Sequence, residues 1–325
     1  DMSRPVQVFI LLGQSNMVGA GKVEPEEKEG TLLHAVKKEN LYPFLTDLAG
    51  QWAERKDVRY VRVMGSGTGK ARQLNNEWMT VKGRKIGPEY GIGHRVGQAV
   101  DAPVLILKSC IGNRSLGWDL LPPGSERYEA EVTDKKSGET KTFVYAGYKD
   151  SPDKWEKGTE PNKIAWYAGM QYDGDVANAK NVLAQLDNYY PGAKGYEIAG
   201  FFFWQGDKDR YNAAHAGRYE QNLVRFIQQL RKDFDAPEAR FVCATLGQTD
   251  QASAEGNEKL ILDAQLAVDG KRGKYKMFQG NVTTVYSKPL CHGGASNSHY
   301  GGNAKTYMDV GLAMGQAMVK MLEEE

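Results

Sequence analysis

No apolar run in this chain approaches the roughly 18 residues that a membrane-crossing helix needs, so a spanning role is not expected. Charge of one sign is also lacking. Lys and Arg total 42 against 41 Asp and Glu, a formal net charge of +1, which gives no field to attract nucleic acid or an anionic membrane. Cysteine is sparse: only Cys110, Cys243 and Cys291, with no CxxC pair and no zinc-ligand spacing. The five histidines show no HExxH pattern, so neither a metal nor any other cofactor is expected. Cys110 and Cys243 lie in apolar stretches, where a thiol behaves as a small buried hydrophobe. One disulfide plus one free thiol is the alternative. There is no repeat and no low-complexity tract. The chain starts at Asp1 without a charged segment followed by an apolar one, as expected of a mature protein whose secretory signal has been removed. A secreted or periplasmic location follows as an expectation, and the oligomeric state is left open.

What is present suits a well-packed globular chain. Its 325 residues are 41% hydrophobic and 26% charged, enough to bury a large core. Short, nearly continuous apolar runs occur at Val6–Leu12, Val58–Met64, Val104–Lys108, Ile198–Trp204, Phe241–Leu246 and Val282–Tyr286. Strands of a parallel sheet, buried on both faces, read this way. Between them lie amphipathic stretches. In Ala214–Phe234 the residues Leu223, Phe226, Ile227 and Leu230 recur at helical spacing, and Asn303–Leu322 carries Val310, Met314, Ala317, Met318 and Met321 on one stripe. Val176–Leu186 forms a third. Such alternation predicts a doubly wound α/β fold with a mostly parallel sheet, as one domain over residues 1–325. Residues 120–161 break the rhythm. There, Tyr128–Thr133 and Thr140–Tyr145 flank a turn at Ser137-Gly138, a hairpin signature, and the segment reads as an insertion.

Doubly wound sheets place their sites at the carboxyl ends of the strands; four segments stand at such places, and a fifth, with two histidines, precedes the last helix. They are GQSNM (Gly13–Met17), IGPEYGIGHRVG (Ile86–Gly97), LKSCIGNRSLGWD (Leu107–Asp119), FFFWQGDKD (Phe201–Asp209) and CHGGASNSHYGGNAKTY (Cys291–Tyr307). A serine needs a base to become a nucleophile. Histidine serves near neutral pH, with a carboxylate to fix its tautomer. The developing oxyanion needs donors aimed at it. The segments supply Ser15, His299 or His292, Asp207 or Asp209, and the amides of Asn113 and Gln205.

GQSNM after a strand, GPEYGIG, GNRSLGW, WQGD and a histidine before the last helix resemble the carbohydrate esterases of the SGNH-hydrolase superfamily. The nearest branch is that of sialate O-acetylesterases and acetylxylan esterases. The resemblance runs from Val6 to about Met318. It implies a flavodoxin-like three-layer α/β/α sandwich and metal-free ester hydrolysis through an acyl-enzyme, with an acetylated carbohydrate as substrate. It assigns Ser15 as nucleophile and His299 as base. The oxyanion donors would be the Ser15 N–H, the Gly112 N–H or the Asn113 side chain, and Gln205, with Gln14 joining the oxyanion or substrate-binding group.

One departure matters. Many members carry D-x-x-H, and the residue at that offset from His299 is Ser296, which cannot stabilise an imidazolium as a carboxylate does. Asp207 of WQGD is therefore expected to orient His299. Asp209, a Ser15–His299 dyad, or a carboxylate from elsewhere are the alternatives. Glu89 could touch substrate hydroxyls, although behind Pro88 it fits the first turn of a helix. Trp118, Trp155 and Trp166 each suit either sugar stacking or packing. Two other functions stay open on sequence alone: a general short-chain esterase or thioesterase, and a non-catalytic glycan-binding module on an esterase scaffold.

Overall fold

In the computed structural model, which describes residues 2–324 apart from Thr68 and Lys70, twelve strands and eight α-helices follow one another. The strands are β1 (Val6–Gly13), β2 (Gly21–Lys22), β3 (Arg55–Met64), β4 (Arg72–Met79), β5 (Lys85–Ile86), β6 (Val104–Ser109), β7 (Tyr128–Thr133), β8 (Thr140–Tyr145), β9 (Lys154–Glu156), β10 (Tyr196–Trp204), β11 (Arg240–Ala244) and β12 (Val282–Val285). The helices are α1 (Ser15–Val18), α2 (Leu32–Lys37), α3 (Glu89–Ala99), α4 (Met170–Leu183), α5 (Leu186–Tyr189), α6 (Ala213–Asp233), α7 (Gly256–Ala267) and α8 (Ala304–Glu323).

Seven strands form the central sheet in the order β12-β11-β10-β1-β6-β3-β4. Every pairing is parallel except β3 with the edge strand β4. All six strands expected from apolar runs are there. β4 was not expected, because RQLNNEWM is polar and largely exposed, as an edge allows. In β6, Ile106 packs into one apolar cluster and Leu105 and Leu107 into the other. Helices α2, α3 and α8 cover the first face, and α4, α6 and α7 the second. This is the expected three-layer α/β/α sandwich with both sheet faces covered. Helices α3 and α8 approach closely, because Gly91 and Gly311 sit where any Cβ would collide with the partner's backbone.

Strands β7, β8 and β9 make a separate three-stranded antiparallel sheet. The turn joining β7 to β8 is set by Asp134, whose carboxylate accepts from the N–H groups of Lys136 and Ser137, with Gly138 at φ 72°. The expected hairpin forms, with Tyr128 opposite Tyr145 and Thr133 opposite Thr140. All three cysteines are free. Burial pushes the Cys110, Cys243 and Cys291 thiols up to about 12. Among the described residues no helix is long and apolar enough to cross a membrane.

Candidate active site

Strand β1 ends at the centre of the sheet, between β10 and β6. Gly13 closes it at φ 143°, in a place where a side chain would run into the Trp204 carbonyl of β10. Only glycine turns the chain so tightly there. Gln14 then caps α1, and Ser15 is its first residue. A first-turn N–H has no preceding carbonyl to bond within the helix. Gly112, just beyond β6, lies directly beside Ser15: a Cβ built on it would sit 3.5 Å from Ser15 Cβ. Asn113 follows with left-handed backbone, φ 57°, and its side chain is exposed. Asparagine tolerates that conformation better than most residues.

Behind this turn lies a network of buried amides. The Gln205 amide donates to Gln14 Oε1 at 3.1 Å, the Arg114 carbonyl at 2.9 Å and Asp209 Oδ2 at 2.6 Å. Its own carbonyl accepts from the Tyr219 hydroxyl at 2.7 Å. Gln14 Oε1 also accepts from the N–H groups of Gly206 and Lys208. Gln205 and Gln14 are thus engaged with the protein and hold the WQGD loop against the serine turn. Asp209 is fully buried and accepts from the N–H groups of Leu116 and Gly117 at 2.9 and 2.8 Å. Burial raises its pKa, while His215, Gln205 and these backbone donors pull the other way. Its carboxylate braces the loop that carries Asn113 through these two bonds, and the histidine that bears on it is His215.

His299 lies in the 3-10 turn Ser296–Gly302, with its backbone left-handed at φ 52° and its side chain exposed. The serine and histidine segments are joined by the residues that follow each of them. Asn16 Nδ2 donates to the Tyr300 hydroxyl at 3.2 Å, and both side chains are buried. The Tyr300 ring stacks on Trp204, centroids 5.7 Å apart, and its hydroxyl also accepts from the Gly247 N–H. Trp204 ends β10 beside β1, so the two turns share one floor. Asp207 is 9% exposed. Its Oδ1 accepts from the Ser296 hydroxyl and, at 2.8 Å, from Arg210 Nε, while Arg210 also pairs with Glu258. His292 stands apart from this group, with Nε2 3.8 Å from Asp309 on α8.

The remaining candidates are placed as follows. Trp118 is half-buried against the small cluster of Leu121, Ala146 and Ala168, together with Trp155. The Trp166 face is covered by the Arg114 guanidinium, 4.9 Å from the ring centroid. Glu89 opens α3 as the Pro88 signature implied, but it is buried, and its Oε2 lies 2.7 Å from Lys108 Nζ. Several side chains of the site were not singled out from sequence, Asn16 and Tyr300 among them. Arg210 is a surface-type residue with no local signal, and Tyr219 is one member of an amphipathic helix. Lys108 did carry a signal, a lone lysine inside the apolar run VLILKS.

A parallel α/β/α sheet with a serine turn at its central strand and a histidine turn alongside defines an esterase scaffold of the SGNH type. Residues 150–320 match the family described as carbohydrate esterase, sialic acid-specific acetylesterase. That is more than half of the chain, and the chain belongs to this family. The matched stretch contains Gln205, Asp207 and His299, whereas Ser15 and Gly112 precede it. No protein of curated function matches the sequence. Among solved structures, a protein from Arabidopsis thaliana is similar at 18% identity and a TM-score of 0.51, covering 98% of this chain and 99% of that one. A carbohydrate acetylesterase from Xanthomonas citri is similar at 12% identity and a TM-score of 0.54 over 98% of this chain, which spans 57% of that protein's length. At these identities the likeness is one of fold.

Proposed function

We propose that this protein hydrolyses O-acetyl esters on a carbohydrate, with Ser15 as nucleophile and His299 as its general base. Ser15 Oγ attacks the acetyl carbonyl while its proton passes to His299. The sugar leaves as the alcohol, taking that proton, and the acetyl group stays on Ser15. Water, deprotonated by His299, then attacks the acyl-enzyme, and acetate departs as Ser15 regains its proton. The Ser15 N–H, the Gly112 N–H and the Asn113 side chain are the donors for the oxyanion. Gln205, whose amide nitrogen and oxygen are both bonded to the protein, and Gln14, through its Oε1, hold these donors in place.

Asp207 supplies the carboxylate behind His299. Its hydrogen bond from Ser296 sets it against the position where D-x-x-H members have their acid, so the charge arrives from another loop. The observation that carries the proposal is the Asn16–Tyr300 bond, which fixes the serine and histidine turns to each other at the end of the central strand. The test is acetate release from a panel of acetylated sugars and from a chromogenic acetate ester. Ser15→Ala should lose turnover on all of them while keeping the wild-type circular dichroism spectrum. Wild-type turnover by Ser15→Ala would sink the assignment.

A further inference from the structure

Lys108 is fully buried at the end of β6, on the sheet face covered by α3 and α8. Its Nζ donates to the carbonyls of Met17 at 3.2 Å and Val18 at 3.0 Å, and to Glu89 Oε2 at 2.7 Å. These two carbonyls belong to α1, the one-turn helix that Ser15 begins. That helix stops at Gly19, so no helical N–H four residues on is there to bond them. The second oxygen of Glu89 accepts from the Gly87 N–H at 3.1 Å. Gly19 packs so closely on Gly87 that a side chain on Gly19 would run into the Gly87 backbone, and one on Gly87 would meet Glu89 Oε2. The chain leaving the nucleophile turn is therefore clamped from both sides.

A buried ion pair is a poor way to gain stability, since apolar side chains of similar volume often do as well or better. Here the surroundings make it more demanding still. Arg62 is the register partner of Lys108 on β3 and repels it, while the Tyr60 ring lies 5.8 Å from Nζ. Burial and Arg62 press the Lys108 pKa down, and Glu89 opposes that shift. What an apolar pair could not do is bond the Met17 and Val18 carbonyls.

We infer that Lys108 and Glu89 are positioning residues for the nucleophile: they fix the pitch of the Ser15 turn, and with it the direction of Ser15 Oγ and N–H. The inference rests on Ser15 being the nucleophile. Neither residue touches substrate, so their loss shows in the chemical step and not in binding. Displacing a reacting group by about 1 Å costs on the order of 10²-fold in rate.

The experiment compares wild type with Lys108→Met/Glu89→Gln, which removes both charges and keeps an acceptor for the Gly87 N–H. Two rates are read on protein shown to be folded by near-ultraviolet circular dichroism. One is kcat on a chromogenic acetate ester; the other is stoichiometric reaction with a p-nitrophenyl phosphonate, which depends on Ser15 but not on a bound sugar. The expected result is a fall of at least about tenfold in both rates, with KM within about twofold of wild type. Glu89→Gln alone, which leaves Lys108 on its two carbonyls, should shift the same two rates in the same direction by less. Rates within about threefold of wild type in the double variant, or a KM effect alone, overturn the inference. A parallel Ser15→Ala separates the two levels: if that variant keeps both activities, the nucleophile assignment falls, and the inference with it.

Discussion

The Ser296 hydroxyl donates a hydrogen bond to Asp207 Oδ1, and Ser296 stands three residues before His299. The bond joins segments 89 residues apart in sequence. It sets a carboxylate against Ser296, the residue at the D-x-x-H offset from His299. If Asp207 supports His299 as the acid of a serine-protease triad does, Asp207→Asn lowers kcat by up to about 10⁴-fold. The decisive companion is Asp207→Asn/Ser296→Asp, which moves the charge onto the D-x-x-H position. It should recover at least about tenfold of what Asp207→Asn loses. A drop below about threefold in Asp207→Asn would leave a Ser15–His299 dyad, or assign the acid elsewhere.

What sequence could and could not disclose follows from how far apart the partners are. Strands buried on both faces announce themselves as apolar runs, and so six of the seven strands of the central sheet were legible, all but the polar edge strand β4; the two- and three-residue strands β2, β5 and β9 are too short to show a pattern. The segments bearing Ser15, Gly112 and Gln205 were visible because each sits at a strand end, where the fold puts loops, and that bearing His299 because it precedes the last helix. Pairings were not visible. Lys108 was an evident oddity within an apolar strand, but its counter-charge is 19 residues back on another element. Asp209 resembles Asp207 in sequence, two residues along the same loop. Only burial and its backbone donors show that it braces the Leu116–Gly117 segment. Gln205 is chemically fit to hold an oxyanion, and its network of donors and acceptors, invisible in sequence, already uses its amide.

Asn113 tests how the oxyanion is held. Asn113→Gly keeps the left-handed backbone without strain and removes only the side chain. Removing one donor from such a site costs about 10²–10³ in kcat, and that loss is expected here with little change in Tm. A change under about threefold would assign the second donor to the Gly112 N–H alone.

His215 links the site to the inserted sheet. Its Nε2 lies 3.0 Å from Asp153 Oδ1, and its ring packs so closely on Gly117 that no side chain fits there. Burial disfavours its charged form, but Asp153, Asp209 and Asp119 outweigh this and raise its pKa above the ordinary 6.5. The protonated histidine is thus favoured by folding. That contribution is fully present below pH 6.5 and is lost as pH rises through the folded-state value. Asp153→Asn should lower Tm most below pH 6.5, with the gap to wild type closing at alkaline pH. A gap independent of pH would show that His215 stays neutral.

Asp175 has the opposite sign and gives the cleanest stability test. It is fully buried on α4; Oδ1 accepts from Gln171 Nε2 at 2.8 Å, and Oδ2 has no hydrogen-bond partner among the described residues. Burial raises its pKa well above the ordinary 3.8, against smaller opposing effects from Gln171, Arg114 and Ser109. Above pH 3.8 the unfolded chain releases a proton that the folded chain keeps. Stability therefore falls with rising pH until the folded-state value is reached, by up to about 1.4 kcal/mol per pH unit. Asp175→Asn is nearly isosteric, retains an acceptor for Gln171, and has no proton to lose. Its Tm should exceed that of wild type at pH 8, and the difference should shrink steadily toward pH 4. Equal Tm values at pH 8 would mean that Asp175 ionises in place, with a water or a shifted side chain satisfying Oδ2.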